Sequence, residues 1–129
     1  FEAFGPELAH QLYPFKSMLH AGMKIGGSSD CPVSNLDPRI SLRDAVLRRT
    51  PSGEIIGPQE TLTMEEAIRL YTQGSAYLSF DENRNGSIEI GKRADFTVMA
   101  ADPRRVSPEE VPQIPISMTV VGGEIVYAG

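Results

Sequence analysis

A chain of 129 residues is one domain or part of one, long enough to bury roughly two-thirds of its surface in a core. Its formal net charge of −5 argues against a broad nucleic-acid or anionic-membrane surface, and no apolar run approaches the ~20 residues of a membrane span. A single cysteine, Cys31, excludes an intramolecular disulfide, and with no secretory signal read, a reducing, cytoplasmic setting is expected.

Phe1 to Tyr13 reads as a turn followed by a short helix, with Pro6 suited to a first helical position and Leu8 and Leu12 one turn apart on one face. Pro14 ends that helix or starts the next, in which Phe15, Met18 and Leu19 form an i, i+3, i+4 stripe and Gly22 is the C-cap glycine. The run from Met23 to Val33 then organises the rest of the chain. Met23 and Ile25 alternate with Lys24 in strand-like fashion, and Gly26 and Gly27 allow backbone or ligand to approach closely. Ser28, Ser29 and Asp30 place hydroxyls and a carboxylate at the carboxyl end of that strand, and Pro32 restrains Cys31. Two readings of Asp30 stand at this point: a side chain that caps a turn, and an acid presented where α/β enzymes gather their catalytic groups.

Residues 31–60 are loop-rich, punctuated by Pro32, Pro38, Pro51 and Pro58. Inside them Ser41 to Arg49 reads as one helix, with Ser41 as N-cap, Asp44 in its first turn, and Leu42, Ala45 and Val46 on the buried side. Pro51-Ser52-Gly53 would terminate it. Arg39, Arg43, Arg48 and Arg49, with Asp37 and Asp44 interleaved, read as a solvated helix face.

Thr63-Met64-Glu65-Glu66 matches a capping box, and Ala67, Ile68, Leu70 and Tyr71 supply the apolar face of the helix that follows. Gly74 would stop it, with a shorter helix from Ser75 to Phe80. Asn85-Gly86 signals a turn, Ser87-Ile88-Glu89 a short extended piece, and Gly91-Lys92 another turn. Asp95 to Met99 reads as a strand with Phe96 and Val98 on one face, and Ser107 to Glu110 as a single helical turn. Met118 to Val121, Gly122-Gly123 and Ile125 to Tyr127 make a terminal hairpin. There is no internal repeat or low-complexity tract.

In this order the motifs resemble the metal-dependent amidohydrolases, in the branch called amidohydrolase family 3, the YtcJ-like enzymes. Tyr13-Pro14-Phe15, Leu19, Ala21-Gly22 and Ser29-Asp30-Cys31-Pro32-Val33 are similar to the approach to the last barrel strand, and Ala45-Val46 and Arg48 to the helix after it. Leu62-Thr63, Glu65-Glu66-Ala67, Tyr71-Thr72, Ala76, Gly86-Ser87-Ile88, Gly91-Lys92, Ala94-Asp95-Phe96 and Asp102-Pro103 resemble the C-terminal segment. Val120, Gly122-Gly123 and Ile125-Val126-Tyr127 resemble its closing hairpin. Ser28 departs from the glycine more usual at its place.

The resemblance implies an α/β chain: the C-terminal fragment of a (β/α)-barrel amidohydrolase plus the C-terminal half of its β-sandwich. Residues 1–59 would be the last helices and final strand of the barrel, and 60–129 the helix pair and sandwich segment. The chain begins at Phe1, without methionine, and reads as an excised piece of a longer protein. The parent would hydrolyse a non-peptide C–N bond in an amide, N-acyl or cyclic small-molecule substrate. It would use a divalent metal, expected to be zinc, with no metal held by the fragment alone. Asp30 would be both the catalytic acid–base and a metal contact, taking a proton from the activated water and giving one to the leaving amine. The family's His-x-His pair and later histidines have no counterpart in these 129 residues, and no ligand role falls to His10 or His20.

The fragment itself is expected to be inactive and to self-associate through unpaired strand edges, with neither nucleic acid nor membrane as partner. The alternative is a stand-alone, non-catalytic structural or binding module. A thiol hydrolase built on Cys31, His20 and Asp30 is disfavoured, because Cys31 is followed by proline and not by a helix start that would activate a thiolate.

Overall fold

The computed structural model describes residues 5–129, so the turn expected at Phe1 falls outside the described residues. Helix α1 (Gly5–Ala9) is followed by α2 (Phe15–His20). Because α1 stops at Ala9, the Leu8–Leu12 face does not form: Leu8 is exposed, and Ala9 is the buried residue. The end of α2 matches expectation. Gly22 takes φ +76, its N–H donates to Leu19 O, and the Met23 N–H reaches back to Met18 O, the paired bonds of a Schellman end.

Helix α3 runs Pro38–Leu47, beginning at Pro38 rather than at Ser41. Asp37 is its N-cap, accepting from the Arg39 N–H, and Pro38 fills a first-turn position whose N–H would have no partner. The helix ends where Arg48 turns left-handed at φ +49, ahead of the expected Pro51-Ser52-Gly53 stop. The arginine run is not a solvated face. Arg48 is 8% exposed, and Arg39 spans from Asp37 to the carbonyl of Ile114.

Helix α4 (Met64–Arg69) carries the expected capping box of Thr63 and Glu66. It runs without a break into a π-turn at Leu70–Gly74 and then into α5 (Ser75–Leu78). Gly74 therefore does not stop the helix; its φ is −64. The reason for glycine lies in packing, because a Cβ there would sit 2.1 Å from the Ile25 carbonyl oxygen.

Three antiparallel strands, β1 (Phe96–Met99), β2 (Ile116–Val121) and β3 (Glu124–Ala128), form one sheet in that order. Phe96 pairs with Val120 and Thr119 with Tyr127; Gly122 and Gly123 both take positive φ in the hairpin turn. Asn85-Gly86 turns the chain, with Gly86 at φ +88, but joins no hairpin, and Ser87-Ile88-Glu89 forms no strand. The turn expected at Ser107 extends to a 3-10 helix over Pro108–Gln113, which inserts the fully buried Val111.

The strand expected from Met23 is a correction of substance. Residues 23–30 carry no ladder, because no neighbouring strand among the described residues offers them one. The core gathers Leu42, Met64, Ala67, Val111 and Ile114, so residues on both sides of position 60 share it. Among the described residues no helix is long and apolar enough to cross a membrane.

Candidate functional site

The segment 23–30 lies along the α4–π–α5 rod, and small residues on both sides make that possible. A Cβ on Gly26 would meet the Gly74 backbone at 3.2 Å, and one on Gly27 would enter the Tyr71 ring at 2.4 Å. With no side chains in the way, backbone hydrogen bonds take over. The Gly27 N–H donates to Leu70 O at 2.9 Å. Leu70 O is the carbonyl that the π-turn couples to the Ser75 N–H, and the Ser75 hydroxyl lies within bonding distance of both Gly27 O (3.0 Å) and Leu70 O (2.9 Å). One residue further, the Tyr71 hydroxyl donates to Ser28 O at 2.9 Å.

Beyond Ser28 the hydrogen bonding becomes local. The Asp30 N–H donates to Ser28 Oγ at 3.2 Å and the Cys31 N–H to Ser29 Oγ at 3.3 Å, while the Ser34 hydroxyl bonds Ser29 O. Asp30 takes φ +54, a left-handed conformation that aspartate tolerates better than most residues. Its side chain is exposed and makes no hydrogen bond or ion pair among the described residues. The local turn therefore engages the amide of Asp30 and leaves the carboxylate open to an incoming group.

Beside the segment is a cleft of about 350 Å³, whose walls include Gly27, Ser28, Tyr71, Phe15, Asp44 and Arg48; Asp30 lies outside that lining. Arg48 shapes one end. Burial pulls its pKa below the ordinary arginine value, and its guanidinium donates to three carbonyls, Ile56 O at 2.6 Å, Leu12 O at 2.6 Å and Tyr13 O at 2.9 Å. The elements that carry the segment are cross-tied as well. Lys16 of α2 pairs with Glu66 at 2.6 Å, and this pair with the Thr63 cap holds the Glu66 carboxyl down at about 2.

The histidines sit elsewhere in the architecture. His10 Nδ1 accepts from the Gly57 N–H at 3.0 Å, and His20 is exposed in the last turn of α2. Cys31 is a free, exposed thiol. Among the described residues no three His, Cys, Asp or Glu side chains converge to hold a metal ion. Sequence reasoning located Asp30 and the glycine pair but missed their clasp. Tyr71 read as core, Gly74 as a helix stop, and Ser75 as an ordinary first residue. The available signal was the second small-residue pair, Gly74-Ser75, complementary to Gly26-Gly27.

Residues 1–127 match the model of the amidohydrolase family. The chain is 36% identical over 130 residues to YtcJ of Bacillus subtilis, a match that covers 98% of this chain and 24% of that protein. It is 36% identical over 117 residues to the N-substituted formamide deformylase of Arthrobacter pascens, covering 91% of this chain and 22% of that protein. The crystal structure of an uncharacterized metal-dependent hydrolase from Pyrococcus horikoshii superposes with a TM-score of 0.70 at 28% identity, over 81% of this chain and 22% of that one. The chain thus spans about a quarter of the length of the curated relatives it matches.

Proposed function

The chain belongs to the amidohydrolase family, and on that premise we propose that it is the C-terminal part of a metal-dependent enzyme that hydrolyses a non-peptide C–N bond. Residues 1–59 then supply the last helices of the barrel, with residues 23–30 placed to pair as its final strand once the rest of the enzyme offers a neighbouring strand, and residues 60–129 supply the helix pair and half of the β-sandwich. The observation that carries the chemical reading is the state of Asp30. It is an exposed carboxylate with no side-chain partner among the described residues, at the end of a glycine-paired segment that a helix grips through its backbone. A carboxylate committed to a salt bridge would be a poor proton carrier; this one is open.

An unpaired carboxylate also fits the role of one oxygen ligand, and Asp30 is the residue this chain would offer to a metal whose other ligands come from the rest of the enzyme. When bound, a divalent ion such as zinc supplies Lewis acidity that makes a water easy to deprotonate near neutral pH. The Asp30 Oδ atoms accept the proton from the attacking water and return it to the nitrogen of the leaving amine, one group serving as base and then as acid. Two similarities support this choice of reaction: the Arthrobacter relative is named for deformylating N-substituted formamides, and the Pyrococcus hydrolase is described as metal-dependent.

Taken alone, the 129 residues are inactive in this proposal and self-associate through the edges that β1 and β3 present. Sedimentation of the isolated chain checks the second point, and a compact monomer at high concentration overturns it. The functional reading is tested in the full-length protein with a panel of N-alkyl formamides and N-acyl amines, assayed before and after chelation. Asp30→Asn should lower turnover by about 10²-fold or more. Near-normal turnover in that variant defeats the assignment.

A further inference from the structure

We infer that Tyr71 is the positioning residue for Asp30, and that the π-turn carrying it is a clasp that sets where the carboxylate stands; this rests on the functional reading above. The geometry is specific. Along 26–30 the hydrogen bonds to the rest of the protein, among the described residues, are those of Gly27 N–H to Leu70, Gly27 O to Ser75, and Ser28 O to Tyr71. From Ser29 to Val33 the described hydrogen bonds are internal to the turn. The Tyr71 hydroxyl is therefore the last tether before the acid, two residues from it.

The π-turn is what makes the tether possible. Its wider winding couples Leu70 O to Ser75, five residues on, and leaves that carbonyl directed where Gly27 can reach it. Tyr71 follows immediately, its ring against the bare α-carbon of Gly27 and its hydroxyl one peptide further along. Gly74 closes the same turn against Ile25 O. Four residues of one helical stretch thus contact four consecutive residues of the acid-bearing segment. Outside its own turn this left-handed, exposed aspartate has no other described fixture, and a proton carrier misplaced by about 1 Å can lose up to 10²-fold in rate.

Tyr71→Phe in the full-length protein is the test, because it keeps the ring and removes the hydroxyl. Hydrogen–deuterium exchange over residues 26–31 reads the tether without any substrate and should rise by about tenfold. With an N-alkyl formamide, kcat should fall by about tenfold with KM changed less than about twofold. Thr63→Ala, which weakens the start of α4 and leaves the clasp intact, should move neither exchange at 26–31 nor kcat. Unchanged exchange, or an unchanged kcat, overturns the inference. Asp30→Asn run alongside separates the two claims. An inactive Asp30→Asn beside an unaltered Tyr71→Phe defeats the positioning role alone, whereas a fully active Asp30→Asn defeats the functional reading and this inference with it.

Discussion

The carboxylate of Glu60 caps the start of α2 from 43 residues away, accepting from both the backbone N–H of Ser17, at 2.8 Å, and its hydroxyl. Pro14, at the N-cap position, provides no side-chain cap of its own, so Glu60 satisfies a first-turn donor that would otherwise have no intrahelical partner. Glu60 is 6% exposed, and the Ser17 bonds, with Arg48 nearby, hold its carboxyl below the usual range. Glu60→Gln should therefore lower the melting temperature more than Glu54→Gln, a change at an exposed glutamate, and should raise hydrogen exchange in α2 first. Equal shifts for the two variants would show that the remote cap is not stabilising.

Gly22 and Gly74 should respond in opposite ways to alanine. At Gly22 the cost is conformational: φ is +76 but nothing lies within 4 Å of an added Cβ, so Gly22→Ala should lose about 1–2 kcal/mol and leave residues 25–30 in place. At Gly74 the backbone is ordinary and the obstacle is the Ile25 carbonyl, which cannot yield without moving the acid-bearing segment. Gly74→Ala should thus displace 25–30 and reduce activity of the full-length protein even where the melting temperature survives. A Gly74→Ala enzyme with wild-type turnover would contradict the clasp.

Arg48 joins three stretches of backbone, and lysine cannot reproduce its planar fork. Arg48→Lys leaves at least one of the carbonyls of Leu12, Tyr13 and Ile56 without its charged donor and should cost about 2–3 kcal/mol in chemical denaturation. Arg49→Lys, at an exposed neighbour, should fall within about 0.5 kcal/mol of wild type. The reverse order would mean that the buried guanidinium is replaceable.

Glu66 gives a pH dependence with a definite sign. Its carboxyl is lowered from 4.5 to about 2, first by the Lys16 ammonium and then by the Thr63 N–H. A depressed carboxyl contributes stability that is fully present above pH 4.5 and is lost as the pH falls toward 2. Urea midpoints should therefore drop between pH 5 and pH 2, and Glu66→Gln should flatten that slope while lowering the midpoint at neutral pH. An unchanged slope in Glu66→Gln would remove this pair from the acid response.

Local chemistry made part of this legible in the one-dimensional chain. Thr63 and Glu66 declare a helix start because both partners of the capping box lie within three residues, and Gly22 and Gly122-Gly123 declare their turns because positive φ is a property of the residue itself. The start of α3 was equally local, written in Asp37-Pro38, but those two residues also serve loops, and nothing nearby chose between the uses.

By itself the sequence determined the acid at position 30, the glycine pair before it, the caps at Thr63 and Gly22 and the hairpin from neighbours along the chain, and the resemblance to amidohydrolases from the order of its motifs. Only the tertiary structure decided that Arg48 turns inward, that Glu60 caps a distant helix, and that Gly74 and Tyr71 contact the segment carrying Asp30. The physical reason is reach. A cap or turn is stabilised by groups a few residues apart, which a pattern can display. A carbonyl 2.1 Å from an absent Cβ, or a hydroxyl bonded across 43 residues, is stabilised by a meeting in space that no local pattern records.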